Sequence, residues 1–201
     1  MNVPEAPVNH GVSALESVAD ADARAHQAQA LLARAQALLD TVADPEIPVV
    51  NLRELGILRA VELLADGPRP VVEVTLTPTY SGCPATAVIE DDVRRVLEEG
   101  GFDARLRRQL APAWSSDWIS AAGRAKLAAY GIAPPAHAAA AAEAVVPLAA
   151  LGGRRAAAAV VACPRCGAAA TERLAEFGST ACKALYRCRA CGEPFDYFKP
   201  Y

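Results

Sequence analysis

Two Cys-x-x-Cys-Gly knuckles, Cys163-Pro164-Arg165-Cys166-Gly167 and Cys188-Arg189-Ala190-Cys191-Gly192, stand near the carboxyl end with twenty-one residues between Cys166 and Cys188. Four thiols in two such turns predict one tetrahedral metal site. Each turn aims backbone amides at sulfur, and the glycine after each second cysteine relieves a tight φ angle. A segment this short buries too little apolar surface to hold itself together, so the ion is expected to supply folding energy. Zinc is the expected ion and a single iron the alternative, because four thiolates suit both. No carboxylate stands beside an open coordination position, which makes the expected metal structural rather than hydrolytic.

The six cysteines are accompanied by only three histidines, His10, His26 and His137, none near another. A histidine-rich catalytic centre is thereby excluded. Cys83 lies far upstream and the other five cysteines fall between 163 and 191, a clustering that suits a metal module in a reducing compartment better than a disulfide scaffold. Thiol redox catalysis fits poorly, since a dithiol catalyst gains nothing from a second matched pair. The first residues lack a basic region followed by an apolar run, and the Ala-rich stretch at 138–150 is short and interrupted by Glu143 and Pro147. The expected location is therefore the cytoplasm, with no membrane partner. The net charge of −3 hides a split, with residues 1–150 acidic and the last fifty-one basic. An acidic body with a small basic module argues against a dedicated nucleic-acid protein.

Periodicity predicts an α+β fold, a small three-stranded sheet with packed helices followed by a four-cysteine, zinc-ribbon-like module. Residues 1–24 read as a mobile tail. From about 22 to 42, Leu31, Leu32, Ala35, Leu38, Leu39 and Val42 form an apolar stripe at helical spacing, broken by Asp44-Pro45. Strands are expected at 57–64 and 71–77. A third alternates Phe102, Ala104, Leu106 and Leu110 against Asp103, Arg105, Arg107 and Gln109. Between the last two, a helix from Pro84 to Gly100-Gly101 gathers Ala85, Val88, Ile89, Val93, Val96 and Leu97 on one face. Trp118–Tyr130 reads as a further helix. The domain so defined covers 25–132, an Ala/Pro-rich linker covers 133–159, and the ribbon covers 160–201. Within the ribbon, Thr171–Phe177 and Lys183–Tyr186 are expected to pair, and Phe195, Tyr197 and Phe198 to cover the apolar flank of the metal.

Three further groups carry chemistry. Asp44-Pro45-Glu46-Ile47-Pro48 places two carboxylates in a rigid turn, either as a solvated cap or as part of a site. Thr77-Pro78-Thr79-Tyr80-Ser81-Gly82-Cys83-Pro84 leaves a strand and sets Cys83 at a helix start, where backbone amides favour a thiolate. A buried cysteine and a functional thiol fit that position equally. Cys182, outside both knuckles, is either a core thiol or an accessory thiol facing a partner or a transient metal. No phosphate-binding loop, dinucleotide fingerprint, Glu-x-x-His motif or Ser–His pair is recognisable, so the chain is not expected to be an independent enzyme.

The block Asp44–Gly56, with Thr77–Pro84 and the helix after it, resembles the domain shared by SufT-like iron–sulfur assembly factors and their eukaryotic cytosolic counterparts. Together with Ala113–Ile119, Tyr130–Pro135 and Glu176–Cys188, the chain resembles the D-subunit family of phenylacetyl-CoA epoxidases. That resemblance implies a non-catalytic accessory or maturation subunit of a ring-epoxidising monooxygenase in phenylacetate catabolism. Its implied partners are the oxygenase and reductase subunits. It further implies transient handling of iron or an iron–sulfur cluster by Asp44, Glu46 and Cys83, in addition to the metal on Cys163, Cys166, Cys188 and Cys191. A structural zinc adaptor docking reductase to oxygenase is the alternative.

Overall fold

The computed structural model describes residues 12–65, 67–135 and 160–201. Residues 1–11 of the expected tail and 136–159 of the expected linker lie outside the described residues. The first helix, α1, spans Val12–Leu39 and so begins upstream of the expected position. Strand β1 (Leu58–Ala65) pairs antiparallel with β2 (Val71–Leu76), and β2 pairs parallel with β3 (Asp103–Arg108), in register Val61↔Val74 and Val74↔Leu106. The parallel pair needs a crossover, supplied by helix α2 (Ala85–Glu99).

Helix α2 shows how the sequence places itself. Ala85, Ile89, Val93 and Leu97 recur every fourth residue and are all buried, while Asp91–Arg94 and Asp92–Arg95 form ion pairs on the outer face. Val88, expected on the apolar face, is 49% exposed because the buried row follows the four-residue step and leaves it at the margin. Gly101 ends the run at φ +85°, returning the Phe102 amide to the Leu97 carbonyl at 2.9 Å. Phe102 then enters the core with Leu39, Leu52, Val72, Val74 and Val93. Leu110, expected inward, is exposed because β3 stops at Arg108 and the alternation stops with it.

Helix α3 spans Ala121–Tyr130, shorter than expected. Ile119 is extended, and the Ser120 hydroxyl accepts from the Gly123 amide at 3.0 Å, so the helix starts after Ser120 and not at Trp118. Trp118 closes a short 3₁₀ turn and packs over Gly56. That glycine has φ +72°, and an added Cβ would stand 2.6 Å from Trp118 Cβ and 2.7 Å from its carbonyl oxygen. Gly56→Ala should therefore combine backbone strain with overpacking, each costing ~1–3 kcal/mol. Chemical denaturation checks this; a wild-type midpoint would show that Trp118 can retreat freely.

Strand β4 (Ile132–Ala133) pairs parallel with β7 (Pro194–Phe198), which continues antiparallel through β6 (Lys183–Cys188) to β5 (Thr171–Ala175). The two expected ribbon strands are thus joined by β7 and by two residues following α3. On β6 and β7 the period of two separates the faces. Ala184, Tyr186, Cys188, Phe195 and Tyr197 belong to the ribbon's own core, with the Tyr186 ring 5.9 Å from Phe195 and 5.5 Å from Tyr197. Lys183, Asp196 and Phe198 point the other way. Phe198, expected over the metal, instead joins the core of the first domain, 5.8 Å from the Trp114 ring. The indole of Trp114 donates to the Leu55 carbonyl at 3.0 Å, which ties the three segments together.

Candidate metal centre and the pocket between the modules

The four knuckle sulfurs converge, all lying within 4.8 Å of one another. Each knuckle repeats the same backbone closure. Gly167 donates to the Cys163 carbonyl at 2.8 Å and Gly192 to that of Cys188 at 2.9 Å; the Cys163 and Cys188 amides donate to Ala168 and Glu193. Both glycines have positive φ, +73° and +79°, as the turns require. The Cys163–Cys191 and Cys166–Cys188 sulfurs are 3.8 and 3.6 Å apart. A tetrahedron with metal–sulfur bonds of about 2.3 Å has edges of about 3.8 Å, so the donor set fits a four-thiolate ion. Backbone amides of Cys191 and Ala190 aimed at Cys188 pull its thiol down to about 7. The arrangement can hold a metal ion, and among the described residues no fifth protein donor groups with the four sulfurs.

Apart from the knuckles, a second cluster forms where β7 and the turn before β6 meet the first domain. Its pocket is lined by Asp44, Glu46, Thr79, Cys83 and Cys182, with Ile57, Ile89 and Phe198 among its apolar walls. Asp44 arrives through the turn after α1, where its Oδ1 accepts from the amides of Glu46 at 2.9 Å and Ile47 at 2.8 Å. The side chain therefore caps the turn, and it is buried against the pocket rather than solvated. Cys83 reaches the pocket from the turn entering α2, which follows directly from Pro84 at the N-cap. Cys182 comes from the ribbon. It is buried, with Sγ 3.0 Å from Thr180 Oγ1.

Two neighbours of the pocket carry little signal in the sequence. Lys183 is buried and its ammonium lies 3.4 Å from Asp196. Its only sequence signal is its position on the Asp196 and Phe198 face of the ribbon. Tyr80 stands beside Cys83. Burial, then the Cys83 thiol, push its phenol up to about 12, with smaller contributions from Cys182 and Glu46.

The carboxylates feel the same enclosure. Burial pushes Asp44 up, against the pull of the two amides and of Lys183; burial and then the Asp44 charge push Glu46 up. Burial also raises the Cys182 thiol, against its hydrogen bond with Thr180. For Asp44 the fold favours the neutral acid. Its stabilising contribution is fully present below the ordinary value of 3.8 and is lost as pH rises through the raised one. Asp44→Asn should remove that pH-dependent component and keep the turn, whereas Asp44→Ala should lose the two hydrogen bonds and about 1–2 kcal/mol. Denaturation profiles at several acidic pH values test this. Identical profiles for wild type and Asp44→Asn would mean that Asp44 ionises as freely in the fold as in water.

No helix among the described residues is long and apolar enough to cross a membrane.

Comparison with known proteins follows the same division. Residues 32–103 match the family described as iron-sulfur cluster assembly protein, and residues 150–199 match the PaaD zinc beta ribbon domain. A Fe-S protein maturation auxiliary factor of Porphyromonas gingivalis is 40% identical over 85 residues, 41% of this chain and 77% of that protein. A crystal structure of a domain of unknown function from Bacillus anthracis, 28% identical, covers 51% of this chain and 96% of its own, with a TM-score of 0.46. A protein of Escherichia coli described as the D subunit of a 1,2-phenylacetyl-CoA epoxidase is 43% identical over 164 residues, covering 81% of this chain and 89% of that one. With a match of that length across most of both proteins, and with an assembly-type domain and a ribbon of the same family in one chain, the chain belongs to the family of phenylacetyl-CoA epoxidase D subunits.

Proposed function

We propose that this chain is a non-catalytic accessory of a multicomponent phenylacetyl-CoA epoxidase, working in the cytoplasm to assemble an iron–sulfur or di-iron centre of its partner oxygenase or reductase. The observation that carries this reading is the pocket itself: Asp44, Glu46 and Cys83 face one cavity in the part of the chain that matches iron–sulfur assembly proteins. A thiol beside two carboxylates offers soft and hard donors together, a combination that can hold iron without closing a full coordination shell around it. The ribbon has a different task. Its four-thiol set is complete, so zinc there would be structural, holding the fold of the module that forms the pocket's other wall.

The test is to prepare the oxygenase and reductase subunits with and without this chain and to measure their iron and sulfide. Partners made in its absence are expected to be metal-poor, and Cys83→Ser is expected not to restore them. Fully loaded partners that nevertheless need the chain throughout turnover would favour the docking adaptor. Epoxidation by the chain alone would overturn both.

A further inference from the structure

Cys182 does not belong to the ribbon's metal site, yet the ribbon fixes it in place. The Lys199 amide following β7 donates to the Cys182 carbonyl at 2.9 Å, and the Tyr201 hydroxyl donates to the Ala181 carbonyl at 3.4 Å. Thr180 holds the sulfur itself. This fixed thiol faces the cavity that Cys83 enters from the opposite module. The free volume is about 20 Å³, room for one water-sized atom and no more.

The remaining polar groups have unspent capacity in the same direction. Asp44 is 8% exposed and engages only Oδ1; its Oδ2 takes no hydrogen bond among the described residues. Glu46 adds a second carboxylate. The cation near these two carboxylates and two thiols is Lys183, which lies outside the cavity lining and shares its charge with Asp196 at 3.4 Å. A small cavity lined by four potential anions, with its neighbouring cation already paired to Asp196, is electrostatically matched to a divalent cation. Two sulfurs among the donors select a thiophilic one over magnesium or calcium.

We infer that Cys182 is the second thiol ligand of this pocket, so that the two modules together hold a single thiophilic divalent transition-metal ion between Cys83, Cys182, Asp44 and Glu46. This inference rests on the assembly reading for its purpose but not for its test. Among the described residues only the ribbon sulfurs are already drawn together as three or more metal donors. The pocket donors must close on their ion, and a site that reorganises on binding holds its ligand more weakly than a preformed one. Weak, exchangeable holding is what transfer of metal to a partner requires. It also makes the ribbon's structural ion a condition for the site, since the strands that fix Cys182 depend on it.

Cobalt titration of the full chain, with zinc already in the ribbon and its retention checked by metal analysis, tests the inference. One further equivalent of Co²⁺ should bind with sulfur-to-cobalt charge-transfer absorption. Cys83→Ser and Cys182→Ser should each cut that absorption to about half, because each removes one of two thiolates. Glu46→Gln should weaken binding while both thiolates still report. Retained ribbon zinc and a cooperative melt establish that each variant is folded, and Cys182→Ala serves where the serine variant is not. No second cobalt, or unchanged absorption in folded Cys182→Ser, would overturn the site. Partner subunits that load without this chain would overturn the assembly reading and leave the cobalt result standing. Partner loading that needs Cys83 but is indifferent to Cys182, with cobalt absorption also unchanged, would do the reverse.

Discussion

Cys163→Ser is expected to cost the ribbon its metal and its fold while β1, β2 and β3 survive. Structural zinc on such sites contributes about 10–16 kcal/mol, as much as the whole stability of a typical domain. The ribbon has little to replace it. Its buried core is small and gathers around the Tyr186, Phe195 and Tyr197 rings, and Cys163 and Cys188 are themselves part of it. The first domain has its own core, built mainly from α1, α2 and the three-stranded sheet, to which the ribbon adds Cys182 and Phe198. Metal analysis should find the structural ion gone, and hydrogen exchange should show protection lost from β5 to β7 and kept in β1 to β3. The Cys83 thiol should at the same time become more open to labelling, because the wall carrying Cys182 and Phe198 has left. Full protection of β6 with no metal bound would refute the view that the ion holds this module.

What the sequence made legible was local. The knuckles announced themselves by spacing, because a four-thiolate site is specified within two five-residue turns. The β2–α2–β3 unit was equally readable: Val72, Val74 and Leu76 alternate, Ala85, Ile89, Val93 and Leu97 step by four, and each period names its element. The carboxylate turn and Cys83 could be named as candidates from their chemistry, but only the family resemblance put them at one site, since they lie on different loops that come together when α1 packs on β1 and α2. The relation between the modules was not legible at all. It depends on which face of β7 turns outward, and Phe195, Tyr197 and Phe198 look alike in sequence. Period two assigns Phe195 and Tyr197 to one side and Phe198 to the other, but only the pairing of Lys183 with Phe198 and of Ile132 with Asp196 reveals that the other side is also buried. Lys183 was obscure for the same reason: a lysine at a strand start ordinarily faces water, and here the neighbouring module covers it.

Phe198→Ala is expected to be the most damaging single change outside the metal ligands, and its damage should appear on both sides of the junction. The ring is 1% exposed, packs 5.8 Å from Trp114 and lines the pocket with Cys83 and Cys182. Removing a buried phenylalanine costs about 3–5 kcal/mol, which in a chain of this size lowers the melting temperature by roughly 6–20 °C. The metal site should remain, because the ribbon's own core, which holds Cys163 and Cys188, gathers on the opposite face of β6 and β7 from that ring. The variant therefore separates two properties that Cys163→Ser removes together. It should keep one structural ion per chain, yet expose Cys83 and Cys182 to alkylating reagents and lose the cooperativity between ribbon and first domain. A lowered but still single transition, with both thiols as protected as in the wild type, would show that the modules are held together by the β4–β7 pairing and the Trp114 hydrogen bond rather than by this ring. Loss of the structural ion would instead show that the ribbon cannot keep its knuckles in place without leaning on the domain that precedes it.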